Sequence, residues 1–101
     1  MAKRSKIVAN ERRKVLVERY RERRDALRAS AKDTTSPMDQ RQAAARALAR
    51  LPRDSSPTRV RHRDQVDGRP RGYVGKAGLS RINFRTAAHR GELPGITTSS
   101  W

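Results

Sequence analysis

Apolar positions are sparse along this chain, and their spacing changes from one stretch to the next. Between Val8 and Ala31 the sequence carries no Gly or Pro and is rich in Ala, Leu, Glu and Arg, all good helix formers. Val8, Val15, Leu16, Tyr20, Leu27 and Ala31 roughly follow one helical stripe, which predicts a helix over residues 8–31. The stripe is narrow, enough to rest on one neighbour. Arg12, Arg13, Arg19, Arg23, Arg24 and Arg28 fall on the opposite faces. Glu18, Glu22 and Asp25 lie among them, as in a solvated helix laced with ion pairs.

The next helix has a written start. Ser36 is placed to cap, Pro37 suits a first helical position, and Asp39 follows Ser36 by three residues as in a capping box. This predicts a scaffold helix over residues 37–50, with Met38, Ala45, Leu48 and Leu51 inward and Pro52 as its stop. Residues 52–63 contain two prolines and adjacent serines, which forbid a regular helix. Loop followed by extended chain is expected there, with disorder in the free protein as the alternative. Arg59, Arg61 and Arg63 alternate, so an extended backbone would present them on one side as a comb.

Further on, Asp67-Gly68 signals a hairpin turn, and Arg69-Pro70-Arg71-Gly72-Tyr73 reads as extended chain. Gly72, Gly75 and Gly78 permit close backbone approach. Ser80 is expected to cap a helix from Arg81 to about Arg90, with Leu79, Ile82 and Ala87 inward and Gly91 past its end. Leu93-Pro94-Gly95 turns the chain into a polar tail ending at Trp101.

Charge decides what these elements are for. The chain has 101 residues, 25 Lys+Arg against 10 Asp+Glu, and a net charge of +15. Residues 1–32 carry +8, residues 33–57 only +1, and residues 58–101 carry +6. Two basic arms therefore flank a nearly neutral middle, giving a helical arm with its scaffold helix over 1–57 and a basic module over 58–101. Hydrophobic residues make up 34% and aromatics 4%, too few to offset about 1.5 kcal/mol of ordering entropy per residue. A weakly folded free chain with partial helix is expected. A polyphosphate partner would neutralise the self-repulsion and release counterions, making binding salt-sensitive. The basic residues are mostly Arg, whose planar fork pairs with phosphate and stacks on bases. RNA is the polyanion these features fit best, with contacts chiefly to phosphate, sugar and shape.

The expected RNA-binding residues are Arg59, Arg61, Arg63, Arg69, Arg71, Lys76, Arg81 and Arg85, with Lys3, Arg4, Lys6, Arg12 and Arg13 from the other arm. Tyr73 and Trp101 are candidates for stacking on a base or ribose, against local packing as the alternative. His62 and His89 read as bystanders or phosphate contacts. No catalytic constellation and no phosphate loop stand out, so no enzyme activity is expected. The absence of cysteine excludes disulfides, thiolate zinc sites and thiol catalysis. No cofactor or metal is expected. Neither a secretory signal nor a membrane-spanning run is visible, which makes cytoplasm the default. The cationic first helix has too thin an apolar face for membrane insertion. Gly68-Arg69-Pro70 resembles an AT-hook core and keeps a DNA-binding alternative open, although Asp67 stands where the hook carries its first Arg.

A run of ordered motifs narrows this further. Leu51-Pro52-Arg53-Asp54-Ser55-Ser56-Pro57, Gly68-Arg69-Pro70-Arg71-Gly72-Tyr73, Gly78-Leu79-Ser80-Arg81, Phe84-Arg85, Gly91, Leu93-Pro94-Gly95 and Ser100-Trp101 closely resemble bacterial small-subunit ribosomal protein S-fourteen, in its zinc-free type. The resemblance covers the whole chain, including the Ala-Lys-Arg-Ser start. It implies a mainly α, extended fold: N-terminal helices plus a small zinc-ribbon-like C-terminal module lacking the zinc ligands. It also implies binding to the 3′ domain of small-subunit rRNA in the subunit head, a part in its assembly, and small-subunit proteins three, ten and nineteen as neighbours. Neither a membrane partner nor a homo-oligomer is expected. In zinc-binding members four cysteines occupy the positions equivalent to Asp64, Asp67, Ser80 and Asn83. The resemblance also implies that zinc-free members can replace the zinc-binding ones when zinc is scarce. A hard cation among these four residues is the weaker alternative. The plainer expectation is that Asp67 serves the turn, Ser80 caps a helix, and rRNA supplies the order zinc supplies elsewhere. Gly75 and Ala77 stand where the family usually has a basic residue and an aromatic, and Thr97, Thr98 and Ser99 where lysines are common; both departures weaken RNA contact locally.

Overall fold

Helix α1 spans Arg4–Lys32 and opens four residues before its expected start, with the Lys3 carbonyl already accepting from Ile7 N at 3.3 Å. The computed structural model describes residues 1–100. Helix α2 follows at Met38–Arg50, then single 3₁₀ turns at Arg53–Ser55 and Pro57–Arg59. Strands β1 (Tyr73–Val74) and β2 (Leu79–Ser80) form an antiparallel hairpin, pairing Tyr73 with Ser80 and Val74 with Leu79. Helix α3 runs directly on from β2 over Arg81–His89. The elements are mostly helical, as expected. The residues group into two units, Ala9–Val60 and Met1–Val8 with Arg61 onward.

In the unit Ala9–Val60, the half-buried face of α1 is Arg13, Leu16, Val17, Tyr20, Arg24, Leu27 and Ala31. This corrects the expected stripe. Val15 is 61% exposed and Val8 is also exposed, while two arginines assigned to the outer faces turn inward. The reason is that this face donates hydrogen bonds as well as covering apolar area. Arg13 Nε reaches Asp54 Oδ1 at 3.4 Å, and Arg24 Nε reaches Ser55 Oγ at 3.1 Å. Eleven residues is about three helical turns, so both arginines stand on one side and hold the 3₁₀ segment between them. Ser55 is fully buried, and its hydroxyl donates to the Pro52 carbonyl.

The start of α2 also differs from expectation. No side chain caps it, and the Ser36–Asp39 capping box does not form. Asp33 takes Ser36 instead: its carboxylate accepts from Ser36 Oγ at 2.8 Å, Thr35 N at 2.9 Å and Thr35 Oγ1 at 2.7 Å. The Thr35 hydroxyl first, then its amide and the Ser36 hydroxyl, hold the Asp33 carboxyl below its ordinary value. The inward face of α2 is Arg41, Ala44, Ala47, Leu48 and Leu51. Met38 is 60% exposed and Ala45 is exposed too, one helical step off the expected face. Arg41 Nε donates to the Ala31 carbonyl at 3.3 Å, a cation at the negative end of α1. Leu51 takes an extended backbone ahead of Pro52, which stops the helix where predicted.

The other unit brings the first residues of the chain to the last third. Ala2 N donates to the Asp67 carbonyl at 3.2 Å, and Ile7 lies so close over Gly68 that a Cβ there would overlap it. Asp64 N donates to Arg69 O and Gly68 N to Asp64 O, both at 3.0 Å, closing the expected Asp67-Gly68 turn. Gly68 has φ +74°, which a glycine adopts without strain. Ser80 caps α3 as expected, accepting from Asn83 N at 3.4 Å. At the other end Glu92 N bonds Ala87 O and Gly91 N bonds Ala88 O, a Schellman closure. Ala87 is buried as predicted, but Ile82 is 48% exposed and belongs to the outer face.

Among the described residues the buried apolar side chains are only Ala44, Leu51 and Ala87, while Asn10, Ser55, Asp64 and Ser80 are buried as deeply. The interior is therefore held largely by hydrogen bonds, each of which must be made, because an unpaired buried polar group costs about 1–3 kcal/mol.

Candidate nucleic-acid interface

The basic surface of the C-terminal unit is built around one carboxylate. Asp64 is 4% exposed. Its Oδ1 accepts from Val66 N at 2.7 Å, and its Oδ2 from Ser80 N at 2.6 Å and Asn83 Nδ2 at 2.7 Å. Burial by itself pushes this carboxyl up. The Ser80 hydroxyl, the amides of Val66 and Ser80 and the Asn83 side chain outweigh burial and hold it far below the ordinary carboxylate range. One ionised group thus ties the 64–69 turn to β2 and to the first turn of α3. Gln65 N donating to Gly78 O at 3.2 Å and Arg81 N to Gly72 O at 2.6 Å complete the frame.

These residues sit at three of the four positions where the resemblance places cysteines. Asp67, the fourth, accepts from Arg69 N at 3.0 Å and serves the turn. The set does not fit zinc: there are no thiolates, and both Asp64 oxygens face N–H donors that any cation would have to displace. The same donors disfavour the hard-cation alternative.

Around this frame the unit carries eleven Lys/Arg against three Asp/Glu. Asp64 is buried, Asp67 half-buried, and Glu92 lies 4.0 Å from Arg90. Arg69, Arg71, Lys76, Arg81 and Arg85 make no ion pair among the described residues. Arg71, Lys76, Arg81 and Arg85 are exposed, and Arg69 is half-buried. Lys76 projects from the turn joining β1 and β2, and Arg81 and Arg85 stand one helical turn apart on α3. Lys3, Arg4 and Lys6, exposed at the start of α1, join this unit through Ala2 and Ile7.

The expected comb of Arg59, Arg61 and Arg63 does not form. Arg59 ends a 3₁₀ turn and pairs with Asp54 at 2.9 Å. Arg63 turns inward, with one terminal nitrogen donating to Gly68 O at 2.9 Å and its buried Nε unpaired. Arg61 is exposed. Pro57, at the first position of its turn, favours the 3₁₀ geometry over the extended one. In the other unit Arg12 is exposed, while Arg13 is committed to Asp54. Tyr73 stacks on His62, ring centroids 5.2 Å apart and planes 10° from parallel. One face of Tyr73 is thus taken locally, and His62 is its support. Trp101 lies outside the described residues.

Sequence reasoning missed Ile7, His62 and the central role of Asp64. A carboxylate amid arginines was the available signal for Asp64.

Residues 47–100 match the family described as ribosomal protein S14p/S29e. The chain belongs to this family. The small ribosomal subunit protein uS14 of Cutibacterium acnes is 66% identical over 101 residues, the whole of both chains. The uS14A protein of Mycolicibacterium smegmatis is 59% identical and the uS14 protein of Leifsonia xyli 58%, again over the full length of each. Two features of this uS14-family chain follow from its geometry. The cysteine-lacking module has a hydrogen-bonded centre of its own, and among the described residues no helix is long and apolar enough to cross a membrane.

Proposed function

We propose that the protein is a structural, non-catalytic constituent of the small ribosomal subunit that binds small-subunit rRNA. The observation that carries this reading is the unit of eleven Lys/Arg and three Asp/Glu, with Arg69, Arg71, Lys76, Arg81 and Arg85 free of ion pairs among the described residues, in a chain of the uS14 family. Free guanidinium groups on a fixed frame suit phosphate, because their charge is not already spent. The family role places it in cytoplasmic ribosomes. Residues 58–101 act as the basic rRNA-binding module, and residues 1–57 as the helical arm. Its rRNA site lies in the 3′ domain of the head, beside small-subunit proteins three, ten and nineteen, and binding supports assembly there. Lys3, Arg4 and Lys6 contribute from the N-terminus, with Arg12 from α1 and Arg61 after the 3₁₀ turns. Arg13, Arg59 and Arg63 act chiefly by holding the chain in shape, because each already has a partner.

The test is the double substitution Arg69→Glu and Arg71→Glu, followed by gradient sedimentation of small subunits. It should abolish incorporation. Near-normal incorporation would contradict the reading. Against the DNA-binding alternative, Asp67, ahead of Gly68-Arg69-Pro70, is a carboxylate spent on the turn where the hook carries an Arg. A preference for AT-rich duplex over folded RNA at matched salt would revive it.

A further inference from the structure

The outer face of α3 carries a groove that the phosphate contacts leave unexplained. It has a volume of about 650 Å³, within the range of small-ligand sites. Its floor is apolar: Ile82 and Ile96 are 48% and 45% exposed, with the half-buried Phe84 beside them. Its rim is basic: Arg81, Arg85 and His89 recur at intervals of four along α3, about 6 Å apart in rise. No acidic residue lines it. The far wall is made by the chain itself. The Leu93–Gly95 turn, with Gly95 at φ +77° and Ile96 N donating to Leu93 O at 3.4 Å, returns Ile96 to the helix.

An apolar floor under a cationic rim is complementary to a ligand with a flat, weakly polar body and an anionic edge. Resting on the rRNA-binding reading above, the geometry points to one unstacked nucleotide of single-stranded RNA as the occupant, its base between Ile82 and Ile96 and its phosphates on Arg81 and Arg85. Unpaired bases are what proteins capture from folded RNA, and the base faces supply the apolar surface that phosphates lack. An acidic protein segment is the competing occupant and is separated by the test.

The experiment uses the full chain and small-subunit rRNA. Ile82→Ser and Ile96→Ser each change an exposed side chain, so helix content by circular dichroism should be retained. Each should weaken rRNA binding roughly 10- to 100-fold, the range for one isoleucine side chain withdrawn from an apolar contact. The salt dependence should not change, because no charge is removed. Ile82→Leu should bind as the parent does. In assembled subunits one unpaired base should become newly reactive to base-specific probes in the Ser variants, and a photo-crosslinker replacing Ile96 should label rRNA. Affinity within twofold of the parent for both Ser variants would overturn the groove assignment while leaving rRNA binding intact. A crosslink to protein alone would overturn it in favour of an acidic segment. Loss of all rRNA binding by the parent chain would instead defeat the underlying functional reading.

Discussion

Asp54 and Asp64 are ten residues apart and both carboxyls are held below their ordinary value, yet they do so in opposite ways. Asp54 keeps 46% of its side chain exposed and is held first by its hydrogen bond to Arg59, with Arg13 assisting. Asp64 is buried and, among the described residues, pairs with no Lys or Arg; its partners are N–H and O–H groups of the chain. Charges that meet in water have already-solvated alternatives, so such pairs add little. Donors that meet a carboxylate in the interior have no alternative, and each would be stranded without it. The two aspartates show that a depressed carboxyl is a poor guide to importance until burial is known.

The largest effect should come from removing the buried acceptor. Asp64→Ala strands the amides of Val66 and Ser80 and the Asn83 side chain, at a cost of about 3 kcal/mol or more. In the rRNA-bound protein, residues 61–95 should lose hydrogen-exchange protection while α1 and α2 keep theirs. Retained protection would refute the central role given to Asp64.

Acid should act on the same group with a defined sign. A carboxyl depressed by folding contributes stability that is fully present above its unfolded value, near 3.9, and is lost as pH falls through the lower folded value. The Asp64 contribution should therefore be flat across neutral pH and fade only in strong acid. A carboxyl titration of Asp64 in the ordinary range, followed by NMR, would sink this.

Gly68→Ala sharpens the comparison from the backbone side. Its positive φ and the overlap with Ile7 should destabilise the C-terminal unit by about 1–3 kcal/mol, read from hydrogen exchange of the Gly78 and Ser80 amides. The smallest effect belongs to Asp54→Asn. It should barely shift thermal melting, and the shift should shrink as salt is added. A large, salt-insensitive loss there would erase the contrast with Asp64.

Where local chemistry fixes an outcome, the sequence was readable. Ser80 ahead of α3, Gly91 behind it and Pro52 after α2 each act on residues close to them in the chain, and all three sit where expected. Ser36 failed because Asp33, three residues earlier, competes for it with a full charge. The stripe on α1 drifted because hydrophobic periodicity is blind to Arg13 and Arg24 facing inward to donate. The Asp64 centre leaves no periodic trace, since its donors are two main-chain amides and two side chains spread from residue 66 to residue 83. For the interface, the exposed arginines of residues 69–85 were legible from composition. The fate of Arg59 and Arg63 was not, because it depends on a 3₁₀ turn and on the Gly68 carbonyl.

The bond from Ala2 to the Asp67 carbonyl has a consequence for the timing of synthesis. Residues 1–8 belong to a unit whose remainder, from Arg61 onward, is made some fifty residues later. At roughly 5–20 residues per second, Ala2 waits on the order of 3–13 s before Asp67 exists. Throughout that interval Lys3, Arg4 and Lys6 are an undocked basic tag on a nascent chain in a cell full of RNA. The docking of Ile7 over Gly68 is the event that ends that promiscuity and commits the tag to one surface.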